Sequence, residues 1–136
     1  MQTPEPDVLF VYGTLRRGCC NHKVLRRLRG RFLAGGHARG TLYDLGEYPG
    51  ATRDGSGAAK VWGEIYLLPS PRRALKVLDK LEGFDAGRPA GSQFRRETTT
   101  VILCGGGRLQ AWIYWLGEVL GARRRLPSGK YRQRGD

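Results

Sequence analysis

The sequence predicts an α+β fold, with a few helices around a mostly antiparallel sheet that curls into a barrel. Three observations carry this expectation. The order of elements read along the chain is strand, helix, several strands, helix, hairpin. Glycine is heavily used, with 21 copies among 136 residues, which suits short strands and tight turns better than a helix bundle. The length is that of one domain with a single core, and no internal repeat divides it.

Val8-Leu9-Phe10-Val11-Tyr12 is a continuous β-favouring run and reads as a buried strand that ends at Gly13. Asn21 is placed to cap a short helix with Val24, Leu25 and Leu28 on one face, stopped by Gly30. From Arg31 to Leu45 the sequence is β-like but broken by Gly35, Gly36 and Gly40, and 45–57 reads as a loop whose clearest turn is Tyr48-Pro49-Gly50. Val61 to Leu67 alternates as a strand, with Gly63 on the side of Val61, Ile65 and Leu67, where another backbone can come close. The next helix is the best defined: Ser70 as N-cap, Pro71 at the first position, an apolar stripe of Leu75, Leu78 and Leu81, and Gly83 to close it. A loop over 85–92 follows. Phe94–Leu103 and Leu109–Leu116 then form a hairpin across Cys104-Gly105-Gly106-Gly107-Arg108. Residues 1–120 are expected to form the domain and 121–136 a basic, partly ordered C-terminal tail.

The hydrophobic fraction of 40% and charged fraction of 26% are those of a soluble globular protein. The polar start, Met1 to Asp7, is not expected to be a signal peptide, and the longest apolar run is far too short for a membrane-spanning helix. Cys19, Cys20 and Cys104 lack metal-like spacing and read as free thiols in a reducing cytoplasm. With only His22 and His37 besides, no metal site is expected. The net charge of +12 is dispersed in small groups such as Arg26–Arg27, Arg72–Arg73 and Arg95–Arg96. Such dispersion predicts weak, sequence-independent attraction to polyanions and no specific nucleic-acid recognition. Oligomeric state is left open.

Two places are candidates for chemistry. Tyr12-Gly13-Thr14-Leu15 joins a buried strand to a helix, a junction whose consecutive N–H groups can form an anion-binding nest; the alternative is a plain turn. Glu82 lies in the last turn of the second helix, beside the negative end of the dipole and the apolar Leu78, Leu81 and Phe84. Both influences raise a carboxyl pKa toward neutrality; the alternative is an exposed Glu next to a C-cap glycine. Asp79 and Asp85 are expected to be indifferent neighbours.

Phe10 to Gly18 followed by Asn21-His22 resembles the opening of the γ-glutamylcyclotransferase-like (AIG2-like) family. Leu42 to Ala51, Val61 to Tyr66 and Leu78 to Phe84 resemble its later signatures, in the right order, so that the resemblance runs from about Val8 to Tyr131. It implies a small mixed, mostly antiparallel β-barrel with flanking helices, in which Tyr12 to Leu15 and Glu82 line one cavity. It further implies a reaction on a small-molecule γ-glutamyl amine, amide or dipeptide, without cofactor: the free α-amine attacks the γ-carbonyl, giving 5-oxoproline and a released amine or amino acid. Glu82 is then the catalytic acid/base, and Tyr12, Gly13, Thr14 and Leu15 bind substrate. One departure is Phe94, which stands before Arg95 where active members often carry Tyr; Arg95 or Arg96 is a candidate contact for a substrate carboxylate. The alternative function is a catalytically silent module that keeps the fold and binds a small molecule or a polyanion.

Overall fold

The computed structural model describes residues 5–53, 59–85, 87, 92–117 and 124–132. In chain order these form β1 (Val8–Val11), α1 (His22–Arg27), β2 (Arg31–Asp44), β3 (Pro49–Arg53), β4 (Lys60–Leu67), α2 (Pro71–Glu82), β5 (Phe94–Leu103), β6 (Arg108–Leu116) and β7 (Arg124–Arg125). Five strands close a mixed barrel in the order β2-β4-β1-β6-β5, with β5 returning to β2 at Gly36↔Leu103 and His37↔Ile102. The β1–β6 pair is parallel and the other pairings are antiparallel. The expected hairpin is the β5–β6 pair, in register from Phe94↔Leu116 to Ile102↔Arg108.

β2 serves twice. Its first part, Arg31 to Arg39, lies in the barrel against β4, and Gly40 to Asp44 pairs with β3. The glycines expected to break this segment do not break it. A Cβ at Gly36 would lie 2.6 Å from the Ile102 carbonyl oxygen, and one at Gly40 2.8 Å from that of Thr52. Their missing side chains let neighbouring backbone in close, so Gly36 permits closure of β5 onto β2 and Gly40 the pairing with β3. Gly63 acts as expected, with the Val11 oxygen 2.2 Å from where its Cβ would be.

The segment read as a loop from 45 to 57 is corrected in part. Pro49–Arg53 is β3, with Pro49 at its first position, where a strand tolerates the missing donor. The turn precedes it, with Leu45 N–H donating to Tyr48 O at 3.0 Å. Residues 54–58 lie outside the described residues, as do 86 and 88–91 of the expected loop over 85–92.

Because successive strand residues face opposite sides, β1 feeds two apolar layers. Val8 and Phe10 point into the barrel with Ile65, Val101 and Ile113. Leu9 and Val11 point outward beneath the helices, against Leu25 of α1, Tyr66, and Leu75 and Leu78 of α2. α2 starts at Pro71 and stops at Gly83, which takes the left-handed conformation (φ 68°). Ser70 makes no side-chain cap bond. Leu81, expected on the buried stripe, is 43% exposed, because the last turn overhangs a recess that Leu81 helps to line.

The described part of the expected tail lies against the barrel. β7 pairs with Tyr43 and Asp44, Gly129 O accepts from Trp62 N–H at 2.8 Å, and Tyr131 is buried in the interior layer. No helix among the described residues is long and apolar enough to cross a membrane.

Candidate active site

Where β1 leaves the sheet, residues 12–15 turn along the mouth of an open recess. Gly13 is required here by packing, since a Cβ would lie 2.9 Å from Cγ of Pro49. Asn21 braces the loop and does not cap α1: its Nδ2 donates to Thr14 Oγ1 at 2.9 Å and its N–H to Thr14 O at 3.0 Å. Arg16 N–H donates to Gly13 O at 3.2 Å, and His22 Nδ1 is 2.9 Å from Leu15 O. The carbonyls of the loop are thus engaged. The N–H groups of Gly13, Thr14 and Leu15 have no acceptor among the described residues, which is the condition for an anion-binding nest.

Tyr12 contributes differently. Its hydroxyl is buried, donating to Tyr114 O at 2.6 Å and accepting from Ala51 N–H at 3.1 Å. Burial pushes its pKa far up, so the phenol stays neutral and acts as a tie between β1, β3 and β6.

Glu82, the last residue of α2, lines the same recess and is partly buried. Desolvation raises its pKa from 4.5 to about 7. Among the described residues no hydrogen bond or ion pair reaches its carboxylate, and no Lys or Arg lines the recess. The recess has a volume of about 130 Å³ and is completed by Asn21, Tyr48, Pro49, Gln93, Phe94 and Tyr114. That is below the ~300–1,000 Å³ of a site that engulfs a drug-sized ligand. It suits one small terminal group, with the remainder of the ligand outside.

All the residues singled out from sequence, Tyr12, Gly13, Thr14, Leu15 and Glu82, therefore border one recess. Tyr48, Gln93 and Tyr114 were not found from sequence. Tyr48 lies in a segment read as a turn, and Tyr114 is one residue of a strand buried throughout its centre, which carries no local sign of a site. Phe94 is buried with its ring 6.1 Å from that of Tyr48, whose hydroxyl accepts from Gln93 Nε2. A hydroxyl thus stands on the same wall although position 94 has none.

Two expectations need correction. Arg96 is committed to Asp79, at 2.7 Å from Nε and 3.2 Å from Nη2, and neither Arg95 nor Arg96 lines the recess. Asp79 is not an indifferent neighbour, since its Oδ1 also accepts from the Tyr114 hydroxyl at 2.7 Å. Asp85 is exposed and accepts from Gly87 N–H within its own loop.

The model of the family described as "Gamma-glutamyl cyclotransferase, AIG2-like" matches residues 9–133. A Vibrio cholerae protein named "Putative gamma-glutamylcyclotransferase" is 35% identical over 129 residues, covering 93% of this chain and 96% of its own. Among solved structures, an AIG2-like protein from Mus musculus superposes with a TM-score of 0.64 at 28% identity, covering 80% of this chain and 76% of that one. YkqA from Bacillus subtilis shares the fold with a TM-score of 0.70 at 23% identity, covering 92% of this chain and 39% of that one. With a family model matched over residues 9–133 and a 35% identical relative covered almost end to end, the chain belongs to the γ-glutamyl cyclotransferase, AIG2-like family.

Proposed function

We propose that the protein cyclises a γ-glutamyl amine, amide or dipeptide to 5-oxoproline, releasing an amine or amino acid, with Glu82 as acid/base and no cofactor. The observation that carries this reading is the pairing, across one small recess, of a carboxylate without a partner and a loop of N–H groups without an acceptor among the described residues. The reaction needs little more. Nucleophile and electrophile belong to one molecule, so the protein must fold the substrate and move protons.

The α-nitrogen forms a bond to the γ-carbonyl carbon, and the bond from that carbon to the leaving nitrogen breaks. Two protons pass from the attacking to the leaving nitrogen, and nothing else is consumed. Glu82, with a pKa of about 7, is present in both protonation states near neutrality. Its ionised form takes a proton from the α-ammonium, and its protonated form returns one to the leaving nitrogen. The N–H groups from Tyr12 to Leu15 receive the substrate carboxylate or the oxyanion that develops on the γ-carbonyl. With no Lys or Arg among the described residues of the lining, these dipoles are the positive pole of the site.

The test is a screen of γ-glutamyl amines, amides and dipeptides for 5-oxoproline, with and without chelator. Release from at least one compound, unchanged by chelator, is the expected result. Release from none, or its abolition by chelator, contradicts the reading.

A further inference from the structure

Asp79 lies one helical turn before Glu82, and the two side chains are neighbours on one face of α2. Among the described residues, Asp79 makes the only side-chain hydrogen bonds from α2 to the sheet. The remaining buried face, Ala74, Leu75 and Leu78, is apolar and gives no directional register. Arg96 and Tyr114, which grip Asp79, are paired opposite one another across β5 and β6. The Arg96 guanidinium lies 4.5 Å over the Trp112 ring and 5.7 Å from that of Phe84, which follows the helix end. Tyr114 then continues the chain of contacts: its side chain lines the recess, and its backbone oxygen accepts from the Tyr12 hydroxyl. Two hydrogen bonds, joined through the covalent frame of Tyr114, thus link α2, which carries Glu82, to the residue that opens the 12–15 loop.

We propose that Asp79, Arg96 and Tyr114 are positioning residues that fix the Glu82 carboxylate over the Tyr12–Leu15 loop and keep it shielded from water. The assignment rests on the cyclotransferase reading for its effect on turnover, but its structural part stands without it. The arrangement matters because reacting groups must meet within a few tenths of an ångström, and a 1 Å misplacement costs about 100-fold in rate. Among the described residues, the titratable groups that share the recess with Glu82 are Tyr12 from the end of β1, Tyr48 from the β2–β3 turn and Tyr114 from β6, with Asp79 on its own helix. Tyr114 is itself held neutral by burial and by Asp79. Loosening the grip therefore acts on Glu82 mainly by admitting water, which lowers its pKa from about 7 toward 4.5.

Tyr114→Phe removes one oxygen, leaves the ring in place and changes no charge. The expected result is a kcat about 10–100-fold lower with KM within about threefold. The acid limb of kcat/KM should move to lower pH, and the Glu82 carboxyl midpoint in a ¹³C NMR titration should fall with it. A merely structural role would lower the melting temperature and leave both the midpoint and the kcat of the folded enzyme unchanged; that result overturns the proposal. Should Tyr114→Phe not fold, Asp79→Asn keeps the shape and breaks the ion pair; it is read by kcat against KM, since the charge it removes beside Glu82 would lower the midpoint by itself, and an unchanged kcat of the folded variant overturns the proposal. Where the wild type releases no 5-oxoproline from any γ-glutamyl compound, the proposed function fails, and the NMR midpoints alone decide the positioning role.

Discussion

The inside of the barrel and the layer beneath its helices are built from the same strands but from alternate residues, and they hold different chemistry. The interior takes Val8, Phe10, Ala38, Ile65, Val101 and Ile113, with no carboxylate among its members. The outer layer takes Leu9, Val11, Tyr66, Leu78 and Tyr114, and at its edge stand Asp79, Arg96 and Glu82. A period of two along each strand thus separates the two layers, and the recess opens where they meet, lined by Val11, Phe94 and Tyr114 of the outer layer and by Phe10 and Tyr12 of the interior. The same contrast recurs on one helix: Asp79 is paired twice over, whereas Glu82 has no partner among the described residues and a pKa raised to about 7 by desolvation.

The comparison can be broken from either side. The largest effect on stability is expected inside the barrel. Ile113→Ala empties part of a fully buried site and should destabilise the fold by about 2–5 kcal/mol in denaturant unfolding. Turnover of the molecules that remain folded should be nearly unchanged; a loss of turnover without loss of stability would show that the two layers are not separable.

A smaller effect, opposite in sign, is expected at Glu82. Its folded pKa of about 7 lies above the ordinary 4.5, so the folded state holds this proton more tightly than the unfolded chain does. The stability tied to that proton is fully present below pH 4.5, declines as pH rises through about 7, and is absent above. Glu82→Gln has no such proton to lose. Unfolding curves of the two proteins should therefore diverge over that window in favour of the variant, by at most about 3 kcal/mol. Curves that stay parallel would mean that the carboxylate is solvated in the folded state.

Much of this was legible along the chain because its causes are local. The β1 run, the Pro71 start and Gly83 stop of α2, and the tight β5–β6 turn are set by neighbouring residues. Gly13 and Glu82 could be singled out for the same reason. What escaped depends on distant partners. Gly36 and Gly40 look like strand breakers until Ile102 and Thr52 are placed against them. Asn21 has the composition of a cap, but Thr14 competes for its amide and wins. Asp79 looks like any solvated helix carboxylate until β5 and β6 bring Arg96 and Tyr114 to it across gaps of 17 and 35 residues.

On the proposed function, the desolvated carboxylate at the end of α2, without a partner among the described residues, moves the protons of the reaction. This role is tested most directly by 5-oxoproline release from the best γ-glutamyl substrate by wild type and Glu82→Gln, with Asp85→Asn as the control. Gln keeps the shape and packing of the side chain and loses only the ability to exchange a proton. A kcat lower by about 10²–10⁴-fold is expected for Glu82→Gln in a folded protein, with near-normal turnover for the exposed Asp85→Asn. Near-normal turnover of a folded Glu82→Gln would contradict this role.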